Sequence, residues 1–108
     1  MSAVQERREL SFYFEHDTAS VGAASSVTFN MGSGTDTDTN RYLNLPEGFA
    51  YGVNMIPTVA CSITKINGRP LKTAMSIGIL GWTEDKCRIN SFTVTAGSAT
   101  VVEVEVKC

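Results

Sequence analysis

The stretch Ala99-Thr100-Val101-Val102-Glu103-Val104-Glu105-Val106-Lys107-Cys108 alternates residue by residue. Val102, Val104 and Val106 fall on one side of a pleat and Glu103, Glu105 and Lys107 on the other, as in a half-buried antiparallel strand. If that strand lies at a sheet margin, its charged row discourages pairing with a foreign edge. The same period of two recurs through most of the chain, and no segment sustains an apolar period of 3.6 over three turns. Short strands separated by turn signals predict an all-β, single-domain antiparallel β-sandwich or jelly roll.

Working outward from that strand, Ala96-Gly97-Ser98 reads as the turn before it. Cys87 and Ile89 share one parity while Phe92 and Val94 have the other, so a β-bulge is expected near Asn90-Ser91. Met75, Ile77 and Ile79 alternate with Ser76 and Gly78, and Gly81 breaks that strand ahead of Trp82. Asn67-Gly68 is the strongest hairpin signal in the chain, because both central residues of a type I′ turn need positive φ. Pro57 cannot donate to a ladder, so 49–63 divides there into two strands or one kinked strand. Phe49, Tyr51, Val53 and Met55 are expected on one face of its first part, with Ala50 and Gly52 opposite.

Further upstream, 32–40 is the most polar and turn-prone stretch and reads as a long surface loop. Val27 and Phe29 share a face with Ser25 in a strand before it, and 18–24 reads as a loop of small residues. Leu10, Phe12 and Phe14 alternate with Ser11, Tyr13 and Glu15, giving a first strand with an aromatic inner face. Residues 1–9 form a polar N-terminal arm, and 10–108 form the sandwich domain.

With 108 residues, 43% of them hydrophobic and 19% charged, the chain has material for one core and lies outside the composition of disordered segments. A net charge of -2 offers no general attraction to phosphate backbones or anionic lipid, so neither nucleic acid nor membrane is an expected partner. The first residues lack the apolar core of a signal peptide, and no window approaches the roughly 18 apolar residues of a membrane span. The expectation is a soluble chain made in the cytoplasm. Cys61, Cys87 and Cys108 are odd in number and belong to no CxxC motif, so free thiols are expected, with an intermolecular disulfide at Cys108 as the exception.

Several residues invite chemistry. Counting Asp36 as position one, Asp36, Asp38 and Asn40 occupy positions one, three and five and Glu47 position twelve, the spacing of an EF-hand calcium loop. Arg41 stands where that turn needs Gly, Pro46 precedes the glutamate, and Asp and Asn recur in loops because they bond their own backbone. A solvated loop is the expectation. His16, the one histidine, lies between Glu15 and Asp17 without a second histidine or a nucleophile motif, so a strand-end residue is expected and an enzyme is not. Trp82 with Tyr42 and Tyr51 would suit a sugar platform, while a Trp after a Gly at a strand end also suits a core plug or a subunit contact. Asn67-Gly68-Arg69 matches a short recognition tripeptide, which its turn role explains. Glu6, Arg7, Arg8 and Glu9 are candidates for pairing with a neighbouring subunit, against the alternative of a solvated terminus. No cofactor is implied by any of these.

A chain rich in Ser, Thr, Ala and Gly, with a polar arm, the Asn67-Gly68 hairpin and the run Thr93-Val94-Thr95-Ala96-Gly97-Ser98-Ala99-Thr100-Val101-Val102-Glu103-Val104, resembles small bacteriophage virion proteins. These are decoration, capsid-accessory and tail-associated β-sandwich proteins. The resemblance implies a non-enzymatic homo-oligomeric subunit of the virion, whose partners are other copies of itself and other virion proteins, with Glu6, Arg7, Arg8, Glu9 and Trp82 as expected contact residues. The rival expectation is a carbohydrate-binding β-sandwich module, with calcium at Asp36 and Asp38 as a possible aid.

Overall fold

A computed structural model of the chain describes residues 14–107, which form nine strands. In order these are β1 (Phe14–Val21), β2 (Ser25–Asn30), β3 (Asn40–Tyr42), β4 (Gly52–Pro57), β5 (Cys61–Ile66), β6 (Arg69–Ile77), β7 (Trp82–Glu84), β8 (Ser91–Ala96) and β9 (Thr100–Lys107). One sheet has the order β1-β9-β4-β7 and the other β3-β2-β8-β5-β6. All neighbours are antiparallel except β2 and β3, which run parallel. The two sheets pack face to face as a β-sandwich.

Alternation explains which side chains enter the core. Val53, Met55, Val102, Val104 and Val106 bury from the four-stranded sheet, and Val27, Phe29, Ile63, Phe92 and Val94 from the other. Each such side chain contributes about 1.5–3 kcal/mol by leaving water. Phe29 and Phe92 are register partners and stack at 5.1 Å between ring centroids. Met31, Leu43 and Leu45 close one end of this core, where Leu45 N–H donates to Met31 O and Met31 N–H to Asn90 O. On the outer face of the five-stranded sheet hydroxyls pair across strands: Ser26 with Thr95, Thr28 with Thr93 and Thr64 with Thr95.

The closing strand has the expected parity, but it is not a margin. It lies between β1 and β4, so Glu103, Glu105 and Lys107 form an outer-face row rather than an edge guard. The first strand also runs further than expected. Leu10 and Phe12 lie outside the described residues, and β1 continues through 18–21 because Ala19 and Val21 face inward and bury. The bulge expected near Asn90-Ser91 does not form. Ile89 pairs with Ala50 in an isolated bridge before the chain enters β8, so a change of partner, not an inserted residue, switches the parity.

That bridge also accounts for the reversal at 49–51. Ala50 is buried against Ile89 while Tyr51 is exposed, and the regular pleat of β4 begins only at Gly52. Pro57 ends β4, and β5 belongs to the other sheet, so 49–63 contains two strands. A bulge does occur in β5: Ile63 pairs with Val94 and Lys65 with Thr93, leaving Thr64 extra. Opposite it β6 loops out, since Ile63 pairs with Met75 but Lys65 with Pro70.

The sheet edges are correspondingly poor templates for another strand. β3 and β7 have three residues each. β6 is interrupted by its loop-out and carries Pro70 and Lys72, and β1 turns Asp17 toward the interior side. Short strands, bulges, Pro, Lys and inward charges all blunt edge pairing.

Candidate functional site

Four short connections close one end of the sandwich: 22–24, 58–60, 78–81 and 97–99. The registers bring them together, because Val21 pairs with Thr100, Pro57 with Val102, Ser25 with Ala96, Cys61 with Ile77 and Met55 with Trp82. With their flanking strand ends, 20–26, 56–62, 76–81 and 96–101 contain no Asp, Glu, Lys, Arg or His. The connections at the opposite end carry Glu47, Asp85, Lys86 and Arg88. Charge is therefore segregated along the strand direction, and depletion of charge is the compositional mark of an interface centre.

The charge-free end also projects apolar side chains. Gly78 O accepts a hydrogen bond from Gly81 N–H at 3.0 Å, which turns the chain so that Ile79 and Leu80 occupy the corner. Leu80 is 95% exposed and Ile79 64%. Ile79 thus leaves the face it was expected to share with Ile77, because β6 ends at Ile77. Gly81 has φ +92, and a Cβ there would stand 2.5 Å from Met55 O and 2.9 Å from Ile56 Cγ1. The turn is pressed against β4, with Leu80 standing beyond it.

Beside this turn, Ile56 and Val101 take outward positions on the adjacent strands β4 and β9, and each remains about two-fifths exposed. Their strands are locked where they meet. Thr58 N–H donates to Val101 O, Val101 N–H donates to Thr58 Oγ1, and the buried Thr100 hydroxyl donates to Val59 O while accepting from Val59 N–H. Leu80 thus forms a knob, and Ile56 with Val101 forms an apolar shelf next to it.

A second feature lies on the flank, where a cleft of about 430 Å³ opens between the β1-β2 corner and the 37–41 segment. Its lining includes Ser20, Ser25, Ser26, Asp38 and Arg41 over Ala19 and Val27. Arg41 Nη2 donates to Asp17 Oδ1 at 2.7 Å and Nε to Oδ2 at 3.0 Å, and Asp36 Oδ2 lies 3.4 Å from Nη2. The hydrogen bond to Asp17 raises the Arg41 guanidinium above its ordinary value, against the opposing effect of burial.

Of the calcium-spaced residues, Asp36 and Asn40 have other partners. Asp36 Oδ1 accepts from Tyr42 N–H and its other oxygen faces Arg41; Asn40 Oδ1 accepts from Asn30 Nδ2; Glu47 is exposed on the turn after Pro46. Among the described residues no three His, Cys, Asp or Glu side chains converge as a metal-holding group. Arg41, within the loop, supplies the positive charge that Asp36 faces.

Trp82, Tyr42 and Tyr51 do not share a platform. Trp82 lies on β7, half-buried, with its ring edge-on to Phe92 at 5.5 Å. Tyr42 lies on β3, whose Arg41 grips β1, and β1 and β7 are opposite edges of one sheet. Tyr51 stacks edge-on with Phe49. His16 Nε2 lies 3.0 Å from Glu103 Oε1 on the outer face, both exposed. Cys61 is buried, which raises its thiol pKa, and Cys87 is an exposed free thiol. Glu6, Arg7, Arg8, Glu9 and Cys108 lie outside the described residues.

The charge-free end holds none of the residue types that carry catalytic or metal chemistry other than Cys61 and hydroxyls. Its signal is present in the sequence, as four turn segments without a single ionisable side chain other than Cys61, but only the strand registers show that they converge. The chain matches no protein-family model, no curated protein and no solved structure.

Proposed function

We propose that this chain is a non-enzymatic viral structural protein, a capsid-decoration, accessory or tail-associated subunit that assembles through repeated protein-protein contacts. The observation that carries this reading is the charge-free end with Leu80 almost wholly in water. An apolar projection of that kind costs solubility in a free subunit and marks a surface meant to be covered. The blunted sheet edges add support, since they move the contact from strand pairing to the loops. On this reading the protein is made in the host cytoplasm and resides in the virion, with other copies of itself and other virion proteins as partners.

The test is co-sedimentation with particles from producing cells on a density gradient. The wild-type chain is expected in the particle band and Leu80→Lys in the low-mass fractions, with both variants equally folded by circular dichroism. A wild-type chain confined to the low-mass fractions overturns the reading.

A further inference from the structure

We propose that two copies of this chain meet through their charge-free ends about a two-fold axis, with Leu80 of each copy seated on the Ile56 and Val101 shelf of the other. This inference rests on the reading of that end as an assembly surface and names its occupant.

Three observations select a second copy. A two-fold interface places the same surface on both sides, so a charge near the axis faces its own like charge, and a charge elsewhere must find an opposite one on that same surface or be stripped of water without a partner. The segments 20–26, 56–62, 76–81 and 96–101 hold no Asp, Glu, Lys, Arg or His, so this end meets its own copy without either cost. The nearest charges stand at its border: Glu103, the register partner of Ile56, and Asp38, across the flanking cleft from Ser25 and Ser26. Both are placed at the rim, where water remains.

The second observation is self-complementarity. An isologous contact needs a feature and its receptor on one molecule, side by side, so that rotation matches each to the other. Leu80 and the Ile56-Val101 pair meet that requirement, because Gly81 sets the turn directly against Ile56. The third is rigidity. Hydrogen bonds among Thr58, Val59, Thr100 and Val101 fix the strand ends beneath the shelf, so little conformational entropy is lost when it is covered.

Sedimentation velocity on the full chain between about 10 and 500 µM tests the inference, a range that spans weak and moderate association. The wild-type chain is expected to reach dimer mass as concentration rises. The same curve is expected at about 0.05 and 1 M NaCl, because screening acts on charges and those nearest this surface, Glu103 and Asp38, stand at its rim. Leu80→Lys is expected to raise the dimer midpoint by roughly tenfold or more, as for loss of a central anchor, while Asp85→Lys at the opposite end leaves it unchanged. Leu80 is in solvent, so its substitution leaves the core intact.

A second experiment reads the pairing itself. In chains carrying Cys87→Ser and Cys108→Ser, Leu80→Cys and Val101→Cys are oxidised separately and mixed. A disulfide-linked dimer is expected from the mixture and not from either alone. A wild-type chain that stays monomeric across the range, a dimer that survives Leu80→Lys, or a dimer that dissociates in high salt overturns the inference. If such a monomer still sediments with particles through Leu80, the occupant is a different virion protein and the structural-subunit reading stands. If it does not sediment with particles, both fail.

Discussion

Arg41 grips Asp17 through two parallel hydrogen bonds, Nη2 to Oδ1 at 2.7 Å and Nε to Oδ2 at 3.0 Å, and so ties edge strand β3 of one sheet to edge strand β1 of the other. Asp17 has the inward parity of β1, opposite Val104, so its carboxylate emerges at the sandwich margin where Arg41 can reach it. Asp36 approaches the same guanidinium and accepts a hydrogen bond from Tyr42 N–H, which adds the 32–39 loop to the clamp.

Removing that clamp is expected to destabilise the fold by about 1–3 kcal/mol, since both partners are largely shielded and the bonds are charge-assisted. Arg41→Met should cost more than Asp17→Asn, because it leaves Asp17 and Asp36 without their shared cation. Arg41→Lys should recover little, lacking the planar fork. Urea titrations of both single variants and of the double variant measure this. A coupling energy near zero would show that the two residues act independently.

Asn67 does more than turn a hairpin. Its φ of 55 and the φ of 76 at Gly68 make the turn, while its side chain reaches across to the segment before β8: Nδ2 donates to Arg88 O, and Oδ1 accepts from Asn90 N–H. Asn67→Gly keeps the backbone conformation and loses these bonds, so it is expected to cost about 1–2 kcal/mol. Asn67→Ala loses both and is expected to cost roughly 1 kcal/mol more. Thermal unfolding of the two variants beside the wild type separates the turn from the staple: an Asn67→Gly midpoint equal to the wild type's would refute the staple, and equal midpoints for the two variants would refute the backbone cost.

Much of this fold is legible in the chain because burial on one face imposes a period of two. Val102, Val104, Val106, Val27 and Phe29 obey it, and Asn67-Gly68 carries its own backbone requirement. The reading loses its footing where a residue answers to a partner distant in sequence. Ala50 buries because Ile89 bridges it, β1 extends through Val21 because β9 continues opposite, and Asn40, Arg41 and Tyr42 form a strand only by lying parallel to β2. The interaction site has the same character. Ile79 shares the parity of Ile77, and only the end of β6 at Ile77 puts it in water beside Leu80.

The thiols should behave oppositely. Cys87 is exposed and Cys61 buried, so alkylation followed by peptide mass spectrometry is expected to modify Cys87 in the native protein and Cys61 only on unfolding. Burial raises the Cys61 pKa in the folded state. Below the ordinary thiol range both states hold the proton and stability is unaffected. Above it the unfolded chain releases a proton that the folded chain keeps, so stability falls as pH rises toward the folded value. Cys61→Ala should flatten that alkaline decline, and an unchanged slope would assign it to other groups.

Trp82 sits against Phe92 with ring centroids 5.5 Å apart, at the margin of the core. Trp82→Ala is expected to cost about 2–4 kcal/mol and Trp82→Phe less than half of that. A Trp serving only as an exposed platform would give near-zero values in circular dichroism melts.

The last expectation concerns the residue that presents Leu80. Gly81 combines φ +92 with a backbone carbonyl, Met55 O, 2.5 Å from where a Cβ would stand. Neither constraint yields easily: the φ disfavours every L side chain, and the carbonyl belongs to a strand paired with both β7 and β9. Gly81→Ala is therefore expected to cost about 2–4 kcal/mol through strain and displacement of the turn. The damage should be local. Amide exchange is expected to accelerate at 78–83, while β2, β8 and the centre of β9 stay protected in proportion to the remaining global stability. Gly78→Ala is the control, because a Cβ there meets nothing within 4 Å and its φ is unremarkable. Equal effects at 78 and 81 would mean that the turn is not pressed against β4 and that Leu80 is held by something other than the Gly81 contact.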